Sequence, residues 1–128
     1  MNLVALGIDI VEIAEILRLA DAPGGHFLAN FTASELADAG QGVNRAERLA
    51  GRYAAKEAVI KALGTGWGDG IAWTDIEVRT AASGAPSIAL HNEAARIAAS
   101  LGIAGWLVST SHDGGYAVAN AIGLSAAK

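Results

Sequence analysis

The chain reads as an α+β protein, an antiparallel sheet with a long central helix, and three observations lead there. Strand-length apolar segments come in pairs joined by tight turns, which imposes antiparallel pairing. The longest helical pattern, residues 44–63, stands between a first strand and the first of those pairs. The order strand, helices, hairpin, helix, hairpin lacks the strand–helix alternation of a doubly wound parallel sheet. At 128 residues with no internal linker, one domain spanning 1–128 is expected.

Residues 3–11, Leu3-Val4-Ala5-Leu6-Gly7-Ile8-Asp9-Ile10-Val11, form a short apolar run broken only by Asp9, the pattern of a buried strand. From Glu12 to Ala20, Ile13, Ile16, Leu17 and Ala20 recur at helical spacing, and Ala22-Pro23-Gly24-Gly25 ends that helix. Thr32-Ala33-Ser34-Glu35 has capping-box spacing, with Phe31 and Leu36 at the staple positions, so a short helix starts at Thr32 and stops near Gly40-Gln41-Gly42. The 44–63 helix carries Leu49, Tyr53, Ile60 and Leu63 as its apolar stripe, and Gly64 closes it. Gly64 to Gly70 is a glycine-rich loop. Ile76-Glu77-Val78-Arg79 and Ser87-Ile88-Ala89-Leu90 then make a hairpin around Ser83-Gly84. Asn92 to Leu101 make a helix ended by Gly102, and Trp106–Ser111 with Tyr116–Ile122 make a last hairpin around Asp113-Gly114-Gly115.

Composition narrows the function classes. A net charge of −4 argues against nucleic acid as a partner, since backbone phosphates require a basic surface. Cysteine is absent, which excludes disulfides and thiol chemistry. No apolar run reaches the length of a membrane span and no basic leader opens the chain, so neither membrane association nor secretion is expected, and a cytoplasmic protein is.

Glu57 and Lys61 fall one helical turn apart in Lys56-Glu57-Ala58-Val59-Ile60-Lys61. Alone, such a pair fits a surface ion bridge. Asp9 changes the reading, because a carboxylate inside an apolar strand is costly unless something pairs or coordinates it. Asp9 and Glu57 supply the one or two carboxylates that Mg²⁺ (or Mn²⁺) takes beside substrate phosphate, and Lys61 supplies a cation for the same phosphate. Arg45, Arg48, Arg52 and Lys56 line up within an arc of about 80° on the same helix, a stripe suited to an anion or to a solvated face. The stripe lies roughly 120° around the helix from Glu57 and Lys61. His26 and His91 have no chemical context and read as surface residues, and Asp75 reads as structural.

Gly7-x-Asp9 followed by Arg52-Tyr53-Ala54-Ala55-Lys56-Glu57-Ala58-x-x-Lys61-Ala62 resembles the phosphopantetheinyl transferases, and most closely the small holo-[acyl carrier protein] synthase group. Phe31-Thr32-x-x-Glu35, Leu63-Gly64-Thr65-Gly66, Asp75-Ile76-Glu77-Val78, Gly84-x-Pro86 and Val108-Ser109-x-Ser111-His112 extend the resemblance almost end to end. It implies the 4′-phosphopantetheinyl transferase fold, a homotrimer with active sites between subunits, and a role in fatty acid biosynthesis. The implied reaction moves 4′-phosphopantetheine from coenzyme A to a serine of acyl carrier protein, releasing adenosine 3′,5′-bisphosphate. In that scheme Asp9 and Glu57 hold Mg²⁺, while Glu57, Lys61 and His112 are the catalytic residues. Coenzyme A falls to Arg45, Arg48, Arg52, Gly64, Thr65, Gly66, Gly84, Pro86 and His112, with Gly84-x-Pro86 near the adenine. The first helix departs from the family, whose docking helix is usually basic: Arg18 stands there among Glu12, Glu15 and Asp21. A Mg²⁺-dependent phosphoesterase acting on coenzyme A and a non-catalytic coenzyme A-binding oligomer are the alternatives from other classes.

Overall fold

In the computed structural model, which describes residues 2–126, the elements are β1 (Leu3–Glu12), α1 (Ile13–Asp21), α2 (Ala33–Ala39), α3 (Arg45–Leu63), β2 (Ile76–Thr80), β3 (Pro86–Leu90), α4 (Asn92–Ser100), β4 (Gly105–Asp113) and β5 (Tyr116–Leu124). Met1, Ala127 and Lys128, at the ends of the expected 1–128 span, lie outside the described residues. The order is the one expected. β2 and β3 form one antiparallel pair, and the first strand joins the last hairpin in a second antiparallel sheet ordered β1-β5-β4.

Small residues on two elements set how α3 meets this sheet. The inner face of β5 presents Ala117, Ala119 and Ala121, all buried, and β1 presents Ala5 and Gly7 beside them. α3 answers with Ala54, Ala55 and Ala58, which share a core cluster with Val59, Ile60, Ile76 and Val78. Alanine against alanine and glycine brings backbones close together. Gly7 is where this matters most: a Cβ there would sit 1.8 Å from the Ala58 carbonyl oxygen and 2.9 Å from the Ala62 nitrogen. α3 is therefore buried on several sides, beyond the stripe of Leu49, Tyr53, Ile60 and Leu63.

β1 differs from the buried strand its composition suggests. Only its Ala5-Gly7-Asp9-Val11 face meets α3; Leu6, Ile8 and Ile10 point the other way and are 62%, 63% and 64% exposed. One helix covers one face of the sheet, and no element of the same chain covers the other among the described residues.

Local signals explain the helix ends. Thr32 Oγ1 accepts from the Glu35 N–H at 3.2 Å and Glu35 Oε1 accepts from the Thr32 N–H at 2.8 Å, the reciprocal capping box that begins α2. α3 ends at Gly64, whose φ of 77° is the left-handed conformation glycine adopts without steric cost.

Lys56 is fully buried, and so is not part of an exposed basic stripe. Its ammonium lies 2.9 Å from Glu35 Oε1 and donates to the Trp73 and Ile76 carbonyls at 3.0 and 2.5 Å. Three protons meet three acceptors, which is what makes a buried ammonium tolerable. Burial pushes its pKa down, and the Glu35 charge opposes that shift. His91 also departs from a free surface residue: its Nε2 lies 3.2 Å from Glu77 Oε1. Asp75 is structural as expected, accepting from the Ala72 N–H and the Asn92 amide, each at 3.0 Å.

Candidate active site

Side chains two apart on a strand share a face, so the close seat of Gly7 against α3 delivers Asp9 to the next stretch of the same helix. Lys61 Nζ donates to Asp9 Oδ1 at 2.8 Å and to the Ile8 carbonyl at 3.1 Å. Lys61 thus bridges to β1 rather than making the helical Glu57–Lys61 pair that spacing alone allows. The bond to Asp9 raises the Lys61 pKa. Glu57 is held from the other side, accepting at Oε1 from the Trp67 indole N–H at 3.3 Å. Burial pushes the Glu57 carboxyl above its usual range and the Asp9 charge adds to this, while the Trp67 bond opposes it. Burial followed by the Glu57 charge raises the Tyr53 phenol in turn.

An aromatic ladder backs this corner. Trp67 stacks on Trp73 with centroids 3.8 Å apart, Trp73 on Tyr53 at 4.9 Å, and Tyr53 leans on Phe27 at 5.5 Å. The donor set suits a hard cation: two carboxylates of one chain whose charges already act on each other, with a lysine ammonium seated on one of them. Among the described residues no group of three or more His, Cys, Asp or Glu gathers. Two carboxylates are a number Mg²⁺ can take when phosphate and water fill the rest of its shell.

A second feature lies around the helix and toward its N-terminal end. A cavity of about 610 Å³ opens between α3, the β2–β3 hairpin and the end of β4, lined by Arg48, Arg52, Thr80, Gly84, Pro86, Thr110 and His112 among others. Cavities of this size accept nucleotide-sized ligands. His112 reaches it because β4 pairs His112 with Ala117, placing it on the helix-facing side with Thr110; its Nε2 lies 3.8 Å from Glu47 Oε2. The Arg52 guanidinium forms part of the wall, donating to the Arg48 carbonyl at 3.0 Å and Thr80 Oγ1 at 2.9 Å, while its buried Nε has no partner. Burial lowers its pKa.

The structure thus gathers Arg48, Arg52, Gly84, Pro86 and His112 at one place and Asp9, Glu57 and Lys61 at another. Two expected groups fall elsewhere. Arg45 turns to Asp21 of α1 at 3.6 Å and does not line the cavity. Gly64, Thr65 and Gly66 follow the Lys61 turn, away from the cavity, with Thr65 Oγ1 donating to the Gly66 carbonyl. Trp67 and Thr80 carry site contacts that sequence reasoning passed over. The signal for Trp67 was a large aromatic within a loop of glycines.

The family model of the 4′-phosphopantetheinyl transferase superfamily matches residues 5–121. A holo-[acyl-carrier-protein] synthase of Solibacter usitatus is 38% identical over 94% of this chain and 97% of its own length. A solved structure of a Chronobacterium ammoniagenes ACPS–CoA complex superposes with a TM-score of 0.83 at 31% identity, covering 99% of this chain and 100% of that one. The Helicobacter pylori holo-[acyl-carrier-protein] synthase in complex with coenzyme A gives 0.81 at 32% identity, covering 93% and 99%.

Proposed function

Because this chain belongs to the 4′-phosphopantetheinyl transferase superfamily, we propose that it transfers 4′-phosphopantetheine from coenzyme A to a serine of an apo-acyl carrier protein. The observation that carries the reading is the arrangement around α3: a nucleotide-sized cavity with arginines on one side, a carboxylate pair with a lysine on the other. Coenzyme A is long and carries a 3′-phosphate well apart from its pyrophosphate, so one donor has anions for both.

In the cavity, Arg48, Arg52 and His112 bind the 3′-phosphate end and Gly84-x-Pro86 borders the adenine. At the acidic end, Asp9 and Glu57 would hold Mg²⁺, which would supply positive charge against the pyrophosphate. The carrier serine oxygen forms a bond to the phosphorus bearing pantetheine, and the bond from that phosphorus to the adenylate-side oxygen breaks. The serine proton passes to Glu57 or to a water at the site. Lys61 neutralises the departing oxygen, so adenosine 3′,5′-bisphosphate leaves.

Arg48 and Lys61 stand about 20 Å apart along the helix axis at 1.5 Å per residue, on different faces. With the cavity and the carboxylates on different faces of α3, one donor can be shared between two copies, one supplying the cavity and its neighbour the carboxylates. The uncovered Leu6-Ile8-Ile10 face offers the surface for such a neighbour, and a homotrimer follows by family resemblance. On α1, Arg18 is already paired with Glu15, so carrier docking relies little on positive charge there. The test is mass spectrometry of apo-carriers from the same organism after incubation with the protein, coenzyme A and Mg²⁺. Gain of the pantetheine arm is expected. Coenzyme A cleavage with no carrier modified means a phosphoesterase instead.

A further inference from the structure

We propose that Trp67 is the positioning residue for the metal-binding carboxylate of Glu57. Three observations converge on it. The indole Nε1 donates to Glu57 Oε1 at 3.3 Å, and the Tyr53 phenol acts on the same carboxylate. Trp67 is itself fixed by a 3.8 Å stack on Trp73, interplanar angle 16°, and Trp73 is fixed on Tyr53 of α3, one turn before Glu57. The ladder therefore starts on the helix that carries Glu57 and returns to it through the loop. Gly64, Gly66, Gly68 and Gly70 flank and interrupt the loop, so its backbone is permissive and Trp67 is its one large side chain.

The consequence is chemical. A free glutamate offers a cation two oxygens and several rotamers; with Oε1 tied to an N–H, one oxygen stays uncommitted and the side chain keeps one direction. Outer partners of this kind orient ligands, and losing one weakens metal binding by roughly 10–100-fold. The indole bond, with the Lys61 charge and the Tyr53 phenol, works against the unfavourable effect of Asp9 on the Glu57 carboxylate.

The inference rests on the metal reading, and its test separates the two. Mn²⁺ binding to the full chain is followed by the electron paramagnetic resonance of free Mn²⁺, for the wild type, Asp9→Asn and Trp67→Phe. The phenyl ring keeps a stacking face and removes the N–H. Binding by the wild type and its loss in Asp9→Asn establish the metal site. Trp67→Phe should then weaken Mn²⁺ by about tenfold. With carrier and coenzyme A saturating, it should raise the KM for Mg²⁺ by a similar factor. Thermal melting confirms that the variant is folded. Should Trp67→Phe prove unfolded, Trp67→Tyr replaces it under the same criteria. An unchanged Mn²⁺ affinity in a folded variant overturns the role of Trp67 while leaving the metal site standing. Absence of Asp9-dependent Mn²⁺ binding in the wild type overturns both.

Discussion

Gly7 and Ala58 approach so closely that the sheet and the long helix touch backbone to backbone, with 1.8 Å between the Ala58 oxygen and where a Gly7 Cβ would stand. The distance explains why Asp9 is preceded by glycine two residues earlier: any side chain at position 7 pushes β1 off α3 and takes Asp9 with it. Gly7→Ala should cost at least about 1–3 kcal/mol by overpacking, read from urea unfolding. It should also lower turnover in the fraction that still folds. Wild-type stability and activity in this variant would mean that the contact is slack.

Asp9→Ala and Glu57→Ala should each abolish carrier modification, a fall of at least about 100-fold, while circular dichroism and melting stay near wild type. Lys61→Ala should lower kcat more than it raises the KM for coenzyme A, since its charge is needed most as the leaving oxygen develops. An increase confined to KM would assign Lys61 to ground-state binding.

Glu77 sets an acid limit on stability. Hydrogen bonds from the Thr32 and Ser34 hydroxyls, then His91 and Arg79, hold its pKa down to about 2. An unfolded glutamate titrates near 4.3, so the folded state binds fewer protons in between. The stabilisation is fully present above about pH 4.3 and is lost as pH falls toward 2. The stability gap between wild type and Glu77→Gln should therefore shrink across that interval. A gap that is constant with pH refutes the assignment.

Ile8→Lys addresses assembly. Ile8 is 63% exposed in the single chain, so the substitution should leave the subunit folded. Light scattering should show smaller particles than wild type, and activity should fall with them. An undiminished oligomer places the interface elsewhere.

The hairpins, the capping box at Thr32–Glu35 and the Gly64 stop were legible because each depends on residues within a few positions of one another. Asp9, Glu57 and Lys61 stood out by type, an acid inside an apolar strand and a helical acid–lysine pair, although Lys61 bonds Asp9 in place of the pair that spacing suggested. Lys56 was not: its partner Glu35 lies on another helix, and a lysine whose burial depends on tertiary pairing resembles any solvated lysine in one dimension. The exposed side of β1 escaped for a related reason, since an apolar run does not say which face its own chain will cover.

Lys56→Met should destabilise by about 3–5 kcal/mol, because it leaves the Glu35 carboxylate buried without its cation. Chemical denaturation measures this, and a loss below about 1 kcal/mol would mean water reaches Glu35.

That carboxylate has a wider consequence. Glu35 accepts the Thr32 N–H at the start of α2, pairs with Lys56 in the middle of α3 and accepts the Val78 N–H in β2. Fraying any one of the three elements strands a charge in the interior, so none opens cheaply by itself. α2, only seven residues long, should therefore exchange its amide hydrogens as slowly as the helix and strand it joins, the three rising and falling as one cooperative unit.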